Sequence, residues 1–186
     1  VTGYHFFADH DSYQPYQELE SFLSWGKPPV CVSFGSMVNR DAEKIDDIVR
    51  TALAQTSNRG IILSGWSGVR SSFSNDLLYL DAAPHDWLLP RCKLVIHHVG
   101  AWTTAAVLRA GIPNIVVPFM ADQPFWGWRV HNIGAGPKPL SVKSLSVKKL
   151  VRAIAGAESE SLRTRAQAIS QQIQNEDGIG VAVKLI

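Results

Sequence analysis

Charge is scarce in this chain. Asp, Glu, Lys and Arg make up 18% of its 186 residues, and they nearly cancel, leaving a formal net charge of +2. The basic residues are scattered and form no block, which argues against a dedicated nucleic-acid binder. No apolar run approaches the roughly 18 residues that a spanning helix needs, and no secretory leader is visible. A soluble cytoplasmic protein is the expectation. Cysteine is scarcer still: Cys31 and Cys92 sit beside apolar runs with no Cys-x-x-Cys spacing. They read as buried free thiols of a reducing compartment, not as a disulfide framework. Internal repeats and low-complexity tracts are absent. Gly134-Ala135-Gly136 lacks the helix and acidic residue of a dinucleotide fingerprint, so it is not a cofactor motif.

What the chain does have is apolar residues, 46% of the total, and enough length for one ordinary domain with a real core. Pro28-Pro29 leads into an apolar run over 30–35 that ends at a glycine, and similar short runs cover 60–65, 77–80, 94–98 and 115–117. Between them lie helical patterns. Over 41–55 the apolar positions are Ile45, Ile48, Val49, Ala52 and Leu53, one stripe with a polar back. Further helices are expected over 103–110 and 123–133. More polar ones follow over 146–157 and 158–175, with Leu150, Val151, Ile154, Leu162, Ile169 and Ile173 as packing positions. Residues 178–186 are apolar, and a helix there is expected to pack on a missing partner domain. Near-continuous apolar strands alternating with amphipathic helices predict an α/β, Rossmann-like, doubly wound parallel sheet. Its ligand belongs at the carboxyl ends of the strands.

Two stretches fall at such ends. The first is His97-His98-Val99-Gly100-Ala101-Trp102-Thr103-Thr104, which leaves the strand Leu94-Val95-Ile96 and opens a helix. A strand that turns through glycine into a helix aims free N–H groups and the positive end of the helix dipole at whatever occupies the turn. A histidine and two threonine hydroxyls beside them suit a phosphate or diphosphate. The second is Pro118-Phe119-Met120-Ala121-Asp122-Gln123-Pro124-Phe125-Trp126-Gly127, one βα unit later, where Asp122 and Gln123 suit a polyhydroxylated ligand. Diphosphate in one turn and polyol in the next describes a nucleotide-sugar.

Residues 1–155 resemble the C-terminal, donor-binding half of GT-B glycosyltransferases of the UDP-glucosyltransferase kind, most of all the sterol 3-beta-glucosyltransferases. The resemblance is carried by Val1-Thr2-Gly3-Tyr4, Phe34-Gly35-Ser36-Met37, Ser64-Gly65-Trp66, Ala83-Pro84-His85-Asp86-Trp87-Leu88 and the two stretches above. It implies residues 1–27 as a linker, 28–157 as the nucleotide-sugar-binding domain and 158–186 as C-terminal helices. A chain that begins at Val1, on the family's interdomain stretch, looks like an excised half, a fragment or a processing product.

The resemblance gives His98 the role of donating to the donor diphosphate, with His97 structural. Adjacent strand residues point to opposite faces and no third ligand stands at zinc-like spacing, so a shared metal is not expected. Thr103 and Thr104 are diphosphate contacts on the family pattern and helix caps on the bland one; both use the same amides. Asp122 and Gln123 match the family's pair for hexose hydroxyls, although Asp at a helix start with Pro124 behind it is favoured there anyway. Ser36 matches a phosphate or ribose contact, or a plain turn serine. Trp66 and the Pro84-His85 segment resemble walls of the base pocket, while Trp87, Trp126 and Trp128 read as core or domain-interface aromatics.

Two positions depart from the pattern. Relatives usually carry glycine where this chain has Val99 and Trp102. Valine is sterically costly in such a turn, and Trp102 either swings outward or sits where the diphosphate belongs beside Gly100.

The resemblance implies transfer of glucose from UDP-glucose to a hydroxyl of a sterol or similar lipophile, with inversion and without metal or other cofactor. The base and acceptor pocket are expected from an N-terminal domain, in cis or as a separate chain, since none of the six histidines here fits that base. Peripheral membrane contact through the acceptor goes with that reading. The alternatives are a TDP- or UDP-sugar natural-product glycosyltransferase, the donor-binding subunit of a split enzyme, and a non-catalytic nucleotide-sugar binder.

Overall fold

The computed structural model describes residues 2–6, 13–34, 42–65 and 75–185. In chain order its elements are α1 (Gln17–Ser24), β1 (Val30–Ser33), α2 (Ala42–Gln55), β2 (Gly60–Leu63), β3 (Leu77–Leu80), α3 (His85–Leu88), β4 (Leu94–His97), α4 (Ala101–Ala110), β5 (Asn114–Val116), α5 (Gln123–Asn132), α6 (Val147–Ala157), α7 (Glu160–Gln174) and α8 (Gly178–Lys184). The five strands form one sheet in the order β3-β2-β1-β4-β5, every pairing parallel. Central β1 has Cys31 flanked by Ile61 on one side and Val95 on the other. The doubly wound sheet expected from the strand and helix pattern is the one observed.

Both faces of the sheet are covered, which is why its strands read as unbroken apolar runs. On one face Val30, Val32, Ile62, Leu94, Ile96 and Ile115 pack against Ile45, Val49 and Leu53 of α2 and Leu150 and Ile154 of α6. On the other, Cys31, Ile61, Leu78 and Val95 meet Leu19 and Phe22 of α1, Leu88 of α3 and Val107 of α4. Burying each large aliphatic side chain contributes about 1.5–3 kcal/mol. A third layer forms where Ile169 and Ile173 of α7 pack on Leu108 of α4 and Val116 of β5, with Val99, Tyr4 and Phe6 alongside. The opening residues and the last helices thus close over one end of α4.

Helix α1 lies within the segment expected to be linker. Its carbonyl end is held by Arg59, whose guanidinium donates to the carbonyls of Phe22, Trp25 and Lys27 and stacks 3.9 Å over the Phe22 ring. No local pattern in the sequence announces this, because the cap comes from 34 residues downstream of Trp25.

Cys31 and Cys92 are free and buried. Hydrogen bonding with Cys92, reinforced by burial, pushes the Cys31 thiol up. Gly136 allows a close approach of backbone: a Cβ there would stand 2.0 Å from the Asn114 carbonyl oxygen. Among the described residues, no helix is long and apolar enough to cross a membrane.

Candidate functional site

From β1 the chain winds outward to β2 and β3, then crosses back to β4 and β5 on the other side. The direction reverses between β1 and β4, so a crevice opens beyond their carboxyl ends, the place where open α/β sheets bind ligands. His97 ends β4, and residues 98–100 carry the chain from that crevice edge into α4.

Helix α4 starts at Ala101 with Gly100 as its N-cap, a residue with no side chain to cap its amides. The Gly100 carbonyl accepts from both the Thr104 amide and the Thr104 hydroxyl, each at 2.9 Å. The amides of Ala101, Trp102 and Thr103 therefore precede the first closed turn, where helix geometry gives them no partner. Neither threonine is the cap itself. Thr104 spends its hydroxyl proton on its own helix, and Thr103 is buried in the third helical position.

His98 is half-buried beside this turn. Its ring reaches over Gly100, with Nε2 2.7 Å from where a Cβ on that glycine would stand. Its Nδ1 is buried. Burial lowers the His98 pKa from the ordinary histidine value, and the Ser33 backbone opposes the shift. His85, the first residue of α3, is lowered too, by burial first, with the charge of Asp86 opposing and that of His98 adding.

His97 has the structural position expected of it. It is fully buried, and its Nε2 donates to Asn114 Oδ1 at 3.0 Å. Asn114 is anchored in turn to the Ile112 and Ala135 carbonyls. Burial pushes the His97 pKa down to about 3, with Asn114 opposing, so the ring is neutral and serves as a fixed strut. Asn114 escaped notice in the sequence; a lone amide inside an apolar strand was its signal. Among the described residues no group of three or more His, Cys, Asp or Glu could hold a metal ion.

The departures from glycine have distinct outcomes. Val99 adopts φ +62° while almost entirely buried, so the valine does occupy a left-handed conformation that β-branched residues avoid. Trp102 is 68% exposed, so its indole is not packed into the core.

The second turn follows β5. Asp122 is the N-cap residue of α5, yet its carboxylate makes no cap bond. Oδ2 instead accepts the indole N–H of Trp126 at 2.8 Å. Gln123 is buried, and its Oε1 accepts the amides of Phe119 at 2.7 Å and Met120 at 3.2 Å. Trp126 and Trp128 are both substantially exposed, which removes them from the core. With Trp102, Met120 and Phe125 they leave a series of exposed apolar side chains on α4, on α5 and in the turn before it. Of the other candidates, Ser36 and Trp66 lie outside the described residues.

Comparisons with known proteins bear on the family and the fold. The family described as erythromycin biosynthesis protein CIII-like, C-terminal domain, matches residues 67–178. A sterol 3-beta-glucosyltransferase of Arabidopsis thaliana is 42% identical over 186 residues, covering 99% of this chain and 29% of that protein. An O-mycaminosyltylonolide 6-deoxyallosyltransferase of Streptomyces fradiae is 34% identical over 189 residues, covering all of this chain and 44% of that one. The chain thus spans less than half the length of these relatives. Among solved structures, the glycotransferase of kitacinnamycin superposes with a TM-score of 0.78 at 16% identity, over 98% of this chain and 46% of its own. The calicheamicin glycosyltransferase gives 0.73 at 20% identity, over 85% of this chain and 41% of its own. The fold is that of the C-terminal, Rossmann-like half of GT-B glycosyltransferases.

Proposed function

Because the chain belongs to the family of erythromycin biosynthesis protein CIII-like C-terminal domains, we propose that it is the donor-binding half of an inverting glycosyltransferase. Its donor is UDP-glucose and the complete protein's acceptor is the hydroxyl of a sterol. The observation that carries this reading is the first turn of α4, begun on a glycine and set at the sheet's switch point with His98 beside it. That turn offers three amides and a helix dipole to the diphosphate. His98 donates through Nε2 from above Gly100, and Thr103 lies against the same oxygens. Asp122 and Gln123 meet the hexose hydroxyls one βα unit away.

In the complete enzyme, a base in the N-terminal domain takes the proton of the acceptor hydroxyl. The oxygen attacks the anomeric carbon from the face opposite the nucleotide, and the bond from that carbon to the diphosphate oxygen breaks with its electron pair. The charge that grows on the leaving UDP is met by dipoles already aimed at it, the arrangement that stabilises a transition state most cheaply. This chain supplies that half of the chemistry; base and acceptor pocket belong to the other.

The sterol assignment is favoured by the 42% identity to the plant sterol enzyme, against 34% to the deoxysugar transferase. The latter supports the second reading, a natural-product enzyme with a TDP-deoxysugar donor. Calorimetric titration with UDP, UDP-glucose and TDP-glucose separates them. The proposal expects UDP-glucose to bind at least tenfold tighter than TDP-glucose; the reverse order selects the second reading, and no heat from any of them at millimolar concentration removes both.

A further inference from the structure

We infer that Trp126 is a positioning residue for the donor sugar, fixing through its indole N–H the carboxylate of Asp122 that receives the hexose hydroxyls. The inference rests on the donor-binding reading above. Asp122 stands at the N-cap of α5, where an aspartate ordinarily turns its carboxylate onto the helix amides. Here it does not. Its backbone lies at φ −81° and ψ −7°, already in the helical region and not in the extended region from which caps reach back. The helix start therefore leaves the carboxylate unoriented.

Trp126 supplies the orientation. It lies four residues on, which places it above Asp122 on the same side of α5. Its Nε1 donates to Oδ2 at 2.8 Å, a charge-assisted bond of the stronger kind. The indole is braced edge-on against Phe125, with ring centroids 5.3 Å apart and planes at 76°. One carboxylate oxygen is thereby held, and Oδ1 is the one presented to an incoming hydroxyl. Gln123 is fixed by a different device to the same end, through the Phe119 and Met120 amides on its Oε1. Both members of the sugar-binding pair are thus set before the ligand arrives. Fixing one rotamer-rich side chain in advance is worth about two- to tenfold in affinity.

Only the sugar should sense this contact; the UDP moiety is held by the first turn of α4. The test is calorimetric titration of the chain and its Trp126→Phe, Asp122→Ala and doubly substituted forms with UDP and with UDP-glucose. The readout is the factor by which UDP-glucose binds tighter than UDP. In Trp126→Phe that factor should fall about three- to tenfold with UDP affinity unchanged, and in the Asp122→Ala background the same substitution should cost nothing further. A wild-type factor in Trp126→Phe overturns the inference, as do losses that add in the double variant. Equal loss of UDP and UDP-glucose affinity would assign Trp126 to the fold and overturn it as well. Failure of the unsubstituted chain to bind UDP, or to prefer UDP-glucose, would instead remove the donor-binding reading itself.

Discussion

The imidazole of His98 lies across Gly100, its Nε2 2.7 Å from where a Cβ on that glycine would stand. Glycine is needed here for close approach, since Gly100 itself has an ordinary φ of −61°. Gly100→Ala should push the imidazole aside, because the end of a side chain yields more easily than backbone. UDP affinity should fall about tenfold while the melting temperature moves little. A large loss of stability at unchanged affinity would show that the ring is not the group displaced.

Val99 gives an inverted stability order. Alanine is ordinarily the better residue by about 0.5–1 kcal/mol within regular structure. At φ +62° the order reverses, since left-handed backbone costs an L-residue about 1–2 kcal/mol. Both Val99→Ala and Val99→Gly lose the buried valine contacts, but only glycine also sheds the strain. Urea denaturation should find Val99→Gly more stable than Val99→Ala by about 1 kcal/mol. Equal stabilities, or alanine ahead, would mean the turn is not left-handed.

The buried histidines make the fold acid-sensitive. His97 titrates near 3 when folded and near its ordinary value of about 6.5 when unfolded. Between those values the unfolded chain binds the extra proton, so stability is lost as pH falls through 6.5 and on toward 3. By pH 5, 1.5 pH units below the unfolded value, the loss from His97 approaches about 2 kcal/mol. His85 and His98, lowered in the same direction, steepen the slope. His97→Gln should lower stability at pH 7 but flatten its dependence between pH 7 and 5. A slope identical to wild type would show that the His97 ring is hydrated.

Trp102 is exposed, so its indole does not support the core, and we expect it to stand clear of the phosphate turn. Trp102→Ala should leave UDP affinity within about threefold, alanine being tolerated in a first helical turn. A rise beyond tenfold would show that the indole occupies the turn in solution.

The sheet was legible because β1, β2, β4 and β5 are buried on both faces, so their apolar runs carry no ambiguity of register or side. The first turn was legible because a glycine, hydroxyls and a helix pattern follow its strand directly, and the second because Asp122, Gln123 and Pro124 open a helix just after one. Helix α1 was not, since the Arg59 cap that holds its end depends on a contact remote in sequence. The exposure of Trp102 was also beyond reach: an exposed indole and a buried one have the same local pattern. The core alternative for Trp126 failed because aromatic rings are usually buried for their area, and a surface indole engaged by its N–H leaves no periodicity. The i,i+4 spacing from Asp122 was the available sign.

The central claim is that the first turn of α4 seats the donor diphosphate, and amide chemical shifts test it most directly. With the chain labelled with nitrogen-15 and UDP titrated in, the largest shifts should fall on Ala101, Trp102 and Thr103, saturating with one site, and His98→Ala should weaken them. Shifts concentrated elsewhere in the domain, or none on α4 at saturating UDP, would contradict it.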